Sequence, residues 1–400
     1  MDKPNKSPFA AIKIVECGEG ISAAFGAKML ADIGAEVIKI ESPEGDVCRR
    51  RGPFPGDKPD PEKSGIFVYL NSNKRGVVAD LKKPEGQELL GKLLGSADIL
   101  IHNVAPDQRA AHGLDSAALT AKYPKLIVTS ISMFGETGPY SHYKGYELTA
   151  ANAGGWTNLS PGASPFPDLP PLKCFGSQCD FQGGAHAAFT SMAAWLHRLK
   201  TGKGQAVDIS EQEVIAAMLE MNLVHYTYAG REASRLGQRL LGPWFIADTA
   251  DGKIFCLAVE EEQWKRLVEL MGNPEWANDE LFKDRLSRGA NMDALKALMS
   301  DWISGWKTQD LYQAAQKARV PFAPINTMKD LYENPHLQER GFFAELDQPG
   351  IGKIKLPGMP SRYGATKWEL RRPAPRLGQH SEEVFCNELG IAKDRVNAAR

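Results

Sequence analysis

The chain has 400 residues, of which 42% are hydrophobic and 24% are charged, and its formal net charge is -1. This is the composition of a globular protein that is large enough for more than one domain. The balanced charge argues against nucleic acid or an anionic membrane as a partner. No apolar run approaches the ~18 residues of a membrane span, and the polar start MDKPNKSPFA has no signal-peptide core. We therefore expect a cytoplasmic protein.

The cysteines and histidines give no sign of a disulfide framework or of a metal site. The 6 cysteines are scattered and include no CxxC pair, which is typical of free thiols in a reducing compartment. The 8 histidines include no HExxH motif, so we predict no metal ion.

The first forty residues have the pattern of a βαβ unit. A strand, a helix and a second strand are predicted at residues 11–16, 22–33 and 37–41. Between the first strand and the helix, Gly18 and Gly20 predict a tight turn, and with Ala23 they match the dinucleotide pattern G-x-G-x-x-G/A. Glu41 ends the second strand, where that pattern places an acidic residue. The unit therefore favours a nucleotide-binding half-domain, and more weakly NAD itself.

Strand-like and helix-like patterns alternate through the next part of the chain. Further strands are predicted at residues 66–71, 77–81, 99–102, 126–131 and 205–210. Such alternation favours an α/β fold with a Rossmann-like, doubly wound and mostly parallel sheet. Ligands of this fold bind at the carboxyl ends of the strands, where Asn103 and Phe134 lie.

A break in the pattern around residues 231–243 predicts a linker. After it come a predicted hairpin at residues 245–259 and helices at residues 263–271, 292–306 and 308–318. We predict a large Rossmann-like domain over residues 1–220 and 330–400 and a small α+β domain over residues 230–329.

The stretch at residues 174–210 is the most informative one. Asp180 precedes a helix that runs to Lys200, so the helix dipole favours its ionised form. Gly183 and Gly184 follow, and paired glycines in a helix indicate that something approaches the first turn closely. Asp180 is either a helix N-cap or a carboxylate nucleophile. The proline-rich loop at residues 160–173 is a candidate lid.

Six segments together resemble the family III CoA-transferases, the group that includes the formyl-CoA and carnitine CoA-transferases. They occur in the family's order and are MLADIGAEVIKIESPEGD, NKRGVVADLKKPEG, ISMFGETGPY, the stretch at 174–210 with RLKTGKGQAVDIS, VPFAPINTMKDLYENPHLQERGFF and LRRPAPRLGQHSEEV. The resemblance covers nearly the whole chain.

The resemblance implies a CoA-transferase in which Asp180 is the nucleophile. Lys82 and Asn103 match CoA contacts of the family, and Lys144 and Tyr146 match positions near the thioester and the pantetheine. Further candidate CoA contacts are Arg109, which lies two residues from the position of a family arginine, and the phosphate candidates Lys74, Arg75 and Arg49 to Arg51. The family implies CoA or acyl-CoA as a substrate, with no permanently bound cofactor. It also implies an interlocked homodimer, and a hetero-oligomer with a related subunit is the alternative.

The chemistry of such a site follows from the residue types. A carboxylate is ionised at neutral pH and needs no base to attack a thioester. The expected intermediates are a mixed anhydride and then an aspartyl-CoA thioester. Because water would hydrolyse an anhydride, we expect a closed and dry pocket, with the amides of Gly183 and Gly184 as candidate oxyanion donors.

Three other functions remain open on sequence grounds. The glycine pattern with Glu41 also fits an NAD(P)-dependent oxidoreductase. An acyl-CoA epimerase shares the expected fold, but such enzymes carry Gly-His-Asp where this chain has Gly145, Tyr146 and Glu147, so the histidine that would exchange a proton is missing. The third alternative is a non-catalytic CoA-binding subunit of a hetero-oligomer.

Overall fold

The computed structural model describes residues 7, 9–162, 166, 168–235 and 241–400. Parts of the predicted N-terminal segment, of the predicted lid and of the predicted linker lie outside the described residues. The chain divides into two compact units. The first comprises Met1–Ser160, Leu172–Ala233 and Glu339–Arg400, and the second comprises Pro161–Pro171 and Ser234–Gln338. The domain boundaries inferred from the sequence stay a prediction.

The first unit is built on a six-stranded sheet. Its strands are β1 (Lys13–Cys17), β2 (Glu36–Glu41), β3 (Lys74–Val78), β4 (Ile99–His102), β5 (Ile127–Ser132) and β6 (Ala206–Ser210). Every neighbouring pair is parallel, and the order is β3-β2-β1-β4-β5-β6. The predicted parallel α/β sheet is therefore confirmed. The strand order reverses between β1 and β4, which is where an open α/β sheet forms its ligand crevice.

Helices cover both faces of this sheet. They are α1 (Ser22–Asp32), α2 (Gly65–Asn71), α3 (Pro84–Leu94), α4 (Pro106–Arg109), α5 (Ser116–Lys122), α6 (Glu147–Ala153), α7 (Gln178–Thr201), α8 (Glu211–Met218) and α9 (Glu220–Ala229). Ile14 of β1 belongs to the core under α1 and α7, and its neighbour Val15 belongs to the core under α3 and α5. This alternation is the period of two that strand geometry imposes.

The second unit has its own sheet and its own apolar core. Its elements are β7 (Trp244–Asp248), β8 (Lys253–Leu257), α10 (Glu261–Leu270), α11 (Arg285–Ala290), α12 (Met292–Ser304), α13 (Thr308–Lys317), β9 (Ala323–Pro324) and α14 (Met328–Glu333), followed by α15 (Pro335–Glu339). The pairs β7–β8 and β8–β9 are antiparallel, so the predicted hairpin is confirmed. Trp264, Leu295 and Phe322 are among the buried core residues.

The last part of the chain returns to the first unit. It forms an antiparallel hairpin of β10 (Phe343–Gln348) and β11 (Gly352–Pro357), a π-helix at Glu382–Glu388, and α16 (Lys393–Ala398). Val384 and Phe385 are fully buried in the core that also holds Leu90 of α3, so the C-terminal segment completes one face of the large sheet.

Two predicted elements near the start were wrong. Residues 66–71 form α2 and not a strand, because Ser64 caps a helix there by accepting a bond from the amide of Phe67 at 3.2 Å. A short apolar run does not by itself distinguish a strand from a buried helix. The next strand begins at Lys74 and not at Val77, because it carries two buried cations that look like loop residues in the sequence.

Helix α7 ends as predicted but buries a different face. It stops at Thr201, and Gly202 follows with a left-handed φ of 73°. The apolar residues Ala185, Phe189, Met192 and Leu196 recur at helical spacing in the sequence and predict one apolar face, but Phe189 and Leu196 are 73% and 60% exposed. The buried face consists of small residues, namely Cys179, Gly183, Gly184, Ala187, Ala188, Ser191 and Ala194.

Small residues let α1 and α7 touch backbone to backbone. A Cβ atom on Gly184 would lie 2.5 Å from the carbonyl oxygen of Ser22 and 3.1 Å from the amide nitrogen of Gly26. In turn, a Cβ atom on Gly26 would lie 2.8 Å from the carbonyl oxygen of Gly184. Beside this contact the rings of Phe25 and Phe181 meet edge to face at 4.8 Å. The close approach predicted for the first turn of α7 is therefore the approach of α1.

This contact makes Gly184→Ala destabilising. Alanine normally favours a helix over glycine by up to about 1 kcal/mol, but here the methyl group would overlap backbone that cannot move aside. We expect the free energy of unfolding, measured by denaturant titration, to fall by about 2 kcal/mol or more. The matched control is Gly91→Ala in α3, whose methyl group would meet the ends of two side chains, the hydroxyl of Tyr123 at 3.3 Å and Nζ of Lys122 at 3.9 Å. Equal stability of the two variants would contradict the packing described.

Candidate active site

Asn103 directly follows β4, at the place where the strand order reverses. Its Nδ2 atom donates to the carbonyl oxygen of Glu19 at 2.7 Å and to Oγ of Ser22 at 3.1 Å, and its Oδ1 atom accepts from the amide of Glu19 at 3.1 Å. Gly18 has a φ of 116°, and a Cβ atom there would lie 1.9 Å from Oδ1 of Asn103. Glycine is therefore required in the predicted tight turn, and Asn103 ties β4 to the start of α1.

Asp180 is the third residue of α7 and is half-buried. Among the ion pairs of the described residues, none includes Asp180. Burial and then the charge of Glu147 raise the pKa of this carboxyl to about 6, although a hydrogen bond with Ser177 and the charges of Arg51 and Lys173 act in the opposite direction. The carboxyl is therefore mostly ionised at neutral pH.

Glu147, the first residue of α6, holds the beginning of α7. Its Oε2 atom accepts the amides of Cys179 at 2.9 Å and Asp180 at 3.1 Å. Its Oε1 atom lies 3.4 Å from Nζ of Lys173, which also donates to the carbonyl oxygens of Cys174 at 2.7 Å and of Gly176. A carboxylate thus satisfies two of the amides that a helix N-terminus leaves free.

Glu211 is the first residue of α8, and its side chain is only 4% exposed. A Cβ atom on Gly183 would lie 3.0 Å from Cγ of Glu211, so the side chain packs on α7 one turn after Asp180. Burial and the charge of Asp180 raise the pKa of Glu211 to about 8, and a hydrogen bond from Ser22 partly offsets them. No ion pair in the described part of the chain includes Glu211.

Sequence reasoning did not select Glu147 or Glu211 as site residues. Glu147 follows the loop after β5, and Glu211 directly follows β6. Both lie at the carboxyl edge of the sheet, which is the signal that could have identified them. The amides of Gly183 and Gly184, in contrast, lie inside α7, and both glycines are buried. The expectation that these amides form an oxyanion hole was therefore wrong.

Four of the predicted CoA contacts lie on this edge of the sheet. Asn103 lies in the crevice, and Lys82 is exposed in the loop after β3. Burial and the charge of Asp46 raise the pKa of Glu19, and Lys82 is among the cations that offset this, so Lys82 faces the turn after β1. Lys144 and Tyr146 are exposed in the loop after β5, and Tyr146 directly precedes Glu147.

The structure argues against a phosphate-binding role for Lys74. This lysine is fully buried, and its Nζ atom donates to Glu16 Oε2 at 2.6 Å, to the carbonyl oxygen of Ala24 at 2.8 Å and to Oδ1 of Asn71 at 3.0 Å. An ammonium group has three hydrogen atoms to donate. All of them are used inside the protein.

Arg75 and Arg109 also pair with carboxylates of the protein, although Nη2 of the buried Arg109 has no hydrogen-bond partner among the described residues. Arg75 is 6% exposed and pairs with the carboxylates of Glu36, Glu383 and Glu388. Arg109 is 4% exposed, pairs with Glu136 and donates to the carbonyl oxygen of Val104 at 2.8 Å. Both guanidinium groups stabilise the fold where the sequence suggested a ligand.

Glu41, the acidic residue of the dinucleotide pattern, is also bonded within the protein. Glu41 is buried and accepts bonds from Nε of Arg49 at 2.7 Å and from Nη2 of Arg49 at 2.8 Å. It is therefore not free to bind a ribose, and Arg49 is not free to bind a phosphate. Arg50 and Arg51 are exposed.

The described residues offer neither a metal site nor a membrane span. No group of three His, Cys, Asp or Glu side chains among them is arranged to hold a metal ion. None of their helices combines the length and the hydropathy that a span requires.

Comparison with known proteins finds relatives over nearly the whole chain. Residues 9–381 match the sequence profile of CoA-transferase family III. The chain is 33% identical to a succinate–glutarate CoA-transferase of Agrobacterium fabrum, over 96% of this chain and 97% of that protein. It is 31% identical to a succinyl-CoA–D-citramalate CoA-transferase of Chloroflexus aurantiacus, over 97% and 95% of the two chains.

A solved structure shows the same architecture. A CAIB/BAIF family protein from Brucella suis superimposes with a TM-score of 0.84 at 31% sequence identity, over 96% of this chain and 99% of that one. The resemblance and the enzyme class inferred from the sequence are thereby confirmed. The chain belongs to CoA-transferase family III.

Proposed function

We propose that this CoA-transferase moves CoA from an acyl-CoA thioester to a carboxylic acid through a covalent intermediate on Asp180. The observation that carries the proposal is the combination of burial, missing ion-pair partner and raised pKa at that side chain. It is half-buried at the carboxyl edge of the sheet, has no cationic partner within ion-pair distance among the described residues, and has a pKa of about 6. Such a carboxylate is ionised at neutral pH without being neutralised by a salt bridge.

The reaction balances without any other reagent. A carboxylate oxygen of Asp180 attacks the thioester carbonyl, the C–S bond breaks, and a mixed anhydride and CoA thiolate result. The thiolate attacks the aspartyl carbonyl, which releases the donor acid as its carboxylate and leaves an aspartyl-CoA thioester. The acceptor carboxylate then attacks the carbonyl of that thioester, the C–S bond breaks, and a second mixed anhydride and CoA thiolate result. Finally, the thiolate attacks the acceptor's carbonyl and restores Asp180.

The neighbouring carboxyls are less suited to this role. Both oxygens of Glu147 are engaged, one by two amides and the other by Lys173. Glu211 is almost fully buried, and its pKa of about 8 keeps it neutral at pH 7. Asp180 is therefore the nucleophile that this cluster supports best.

CoA acts in this proposal as a substrate, and no permanently bound cofactor is needed. We assign its contacts to Asn103, Lys82, Lys144 and Tyr146, which share the carboxyl edge of the sheet with Asp180. Arg50 remains an exposed candidate for a phosphate contact. The buried cations Lys74, Arg75 and Arg109 are not part of the proposal.

For substrates, we propose succinyl-CoA as donor and a dicarboxylic acid as acceptor. The names of the two relatives combine succinate or succinyl-CoA with glutarate or D-citramalate. A dicarboxylic acid needs a cation for the carboxylate that does not react. Arg51 is the candidate, because it is exposed and its charge acts to lower the pKa of Asp180 against burial and the charge of Glu147. The charge of Lys173 acts in the same direction, but its Nζ atom is engaged by Glu147 and by two backbone carbonyl oxygens.

The family resemblance also suggests an interlocked homodimer, with a related second subunit as the alternative. The exposure of helix α9 supports a partner, because Met221, Leu223, Tyr226 and Tyr228 are 53–89% exposed. We also propose a cytoplasmic location, a large domain over residues 1–220 and 330–400, and a small domain over residues 230–329.

Two alternative activities have weaker support. An NAD(P)-dependent oxidoreductase would need an acidic residue free to bind the ribose, and Glu41 is bound to Arg49. An epimerase would need a proton-exchanging group at Tyr146, where this chain has no histidine. The remaining alternative, a non-catalytic CoA-binding subunit, is distinguished by the next experiment.

Asp180→Asn replaces the nucleophile by an isosteric amide that does not attack a thioester. We expect transfer from succinyl-CoA to glutarate or citramalate to fall by about 10³-fold or more, measured by chromatography of the CoA esters. Asp107→Asn is the matched control, because Asp107 is also an acidic residue in the first turn of a helix at this edge of the sheet. If Asp180→Asn retained more than about a tenth of wild-type transfer, Asp180 would not be the nucleophile.

The pH dependence of transfer gives a second prediction. The attacking form of Asp180 is the ionised one, so kcat/KM should fall as the pH drops through about 6. Glu147→Gln keeps an oxygen for the two amides but removes a negative charge that raises the pKa of Asp180. The acid limb should therefore move to lower pH by roughly one unit. A limb that stays in place or moves upward would show that Glu147 does not act on the group that titrates.

A further inference from the structure

The carboxyl of Glu211 has no part in the reaction steps described above. It lies 4% exposed at the start of α8, against Gly183 of α7. Gly183 is one helical turn after Asp180, so Glu211 of α8 packs against the face of α7 that carries Asp180. A buried carboxyl next to another carboxyl needs either a cation or a proton.

The groups that surround Glu211 supply no cation. Helix α7 presents Asp180, helix α6 presents Glu147, and helix α1 presents the hydroxyl of Ser22, which donates a hydrogen bond to Glu211. Ser22 in turn accepts from Nδ2 of Asn103 at 3.1 Å. Among the described residues, no lysine, arginine or histidine lies within ion-pair distance of Glu211. One proton is therefore the remaining way to neutralise it.

We propose that Glu211 is a positioning residue that holds one proton against Asp180, so that the pair carries a single negative charge in the resting enzyme. The inference rests on the proposed role of Asp180 as nucleophile. Holding that proton does two things: it leaves the charge on Asp180, and it keeps a second charge away from the incoming acceptor carboxylate. The bond to Ser22 also ties Glu211 to Asn103, the proposed CoA contact.

The pH dependence of this arrangement has a defined sign. Burial and the charge of Asp180 raise the pKa of Glu211 to about 8, so the proton is present below that pH and lost above it. With both carboxyls ionised, the site repels an anionic acceptor, and transfer should fall on the alkaline side. The charge of Glu147 on α6 also raises the pKa of Glu211, whereas the hydrogen bond from Ser22 on α1 lowers it.

The first test is the alkaline limb of the pH profile of kcat/KM in the Glu211→Gln variant. The glutamine side chain is neutral at every pH and has nearly the same shape as the glutamate side chain. We expect the ratio of kcat/KM at about pH 9 to that at about pH 7 to be roughly tenfold higher than in the wild type, because the limb is lost. The matched control is Glu147→Gln, which leaves Glu211 in place and should keep the limb. An alkaline limb unchanged in Glu211→Gln would overturn the proposal.

The second test does not depend on transfer. Infrared spectra of the resting wild-type protein should show the carbonyl band of a neutral carboxylic acid near neutral pH. The band should vanish as the pH is raised past about 8, and it should be missing in Glu211→Gln. If wild type and Glu211→Gln have the same band, the proton is not on Glu211. Failure of the Asp180 proposal would leave this band unchanged, so the two failures are distinguishable.

Discussion

The backbone contact between α1 and α7 is the constraint on which the site depends. Gly184 of α7 lies against Ser22 and Gly26 of α1 so closely that no side chain fits between the two helices. Helix α1 follows the glycine turn of β1, and Asn103 at the end of β4 bonds to that turn and to Ser22. Fixing α7 on α1 therefore places the first turn of α7, with Asp180, beside the crevice where the strand order reverses.

Three carboxyls then share this position, and their surroundings give them different states. Glu147 accepts bonds from two amides and lies within ion-pair distance of Lys173. Glu211 is buried beside an anion, and its pKa of about 8 favours the neutral form. Asp180 is half-buried and has no cationic partner among the described residues, and its pKa is about 6. Burial and charge alone thus leave one ionised carboxylate without a salt bridge, which is the property that covalent chemistry on a thioester requires.

Local patterns in the sequence predicted the framework well, because periodicity and glycine turns depend on nearby residues. Five of the six strands of the parallel sheet, the turn at Gly18 and the end of α7 were predicted close to their observed positions, whereas β3 was predicted three residues too late. Predictions failed where the partner is distant in the chain. Lys74 and Arg75 looked like free cations, but their partners include Glu16, Glu383 and Glu388. The roles of Glu147 and Glu211 depend on their contacts with α7, which the fold creates and local sequence patterns do not show.

The central claim is that a side-chain acid of this protein becomes covalently acylated during turnover. The most direct measurement is mass spectrometry of the peptide that contains Asp180 after incubation with succinyl-CoA and quenching by hydroxylamine, which converts an activated aspartyl group to a hydroxamate. The account predicts the hydroxamate on Asp180 in the wild type and its absence in Asp180→Asn. Steady transfer of CoA to an acceptor acid without any modification of Asp180 would contradict the account.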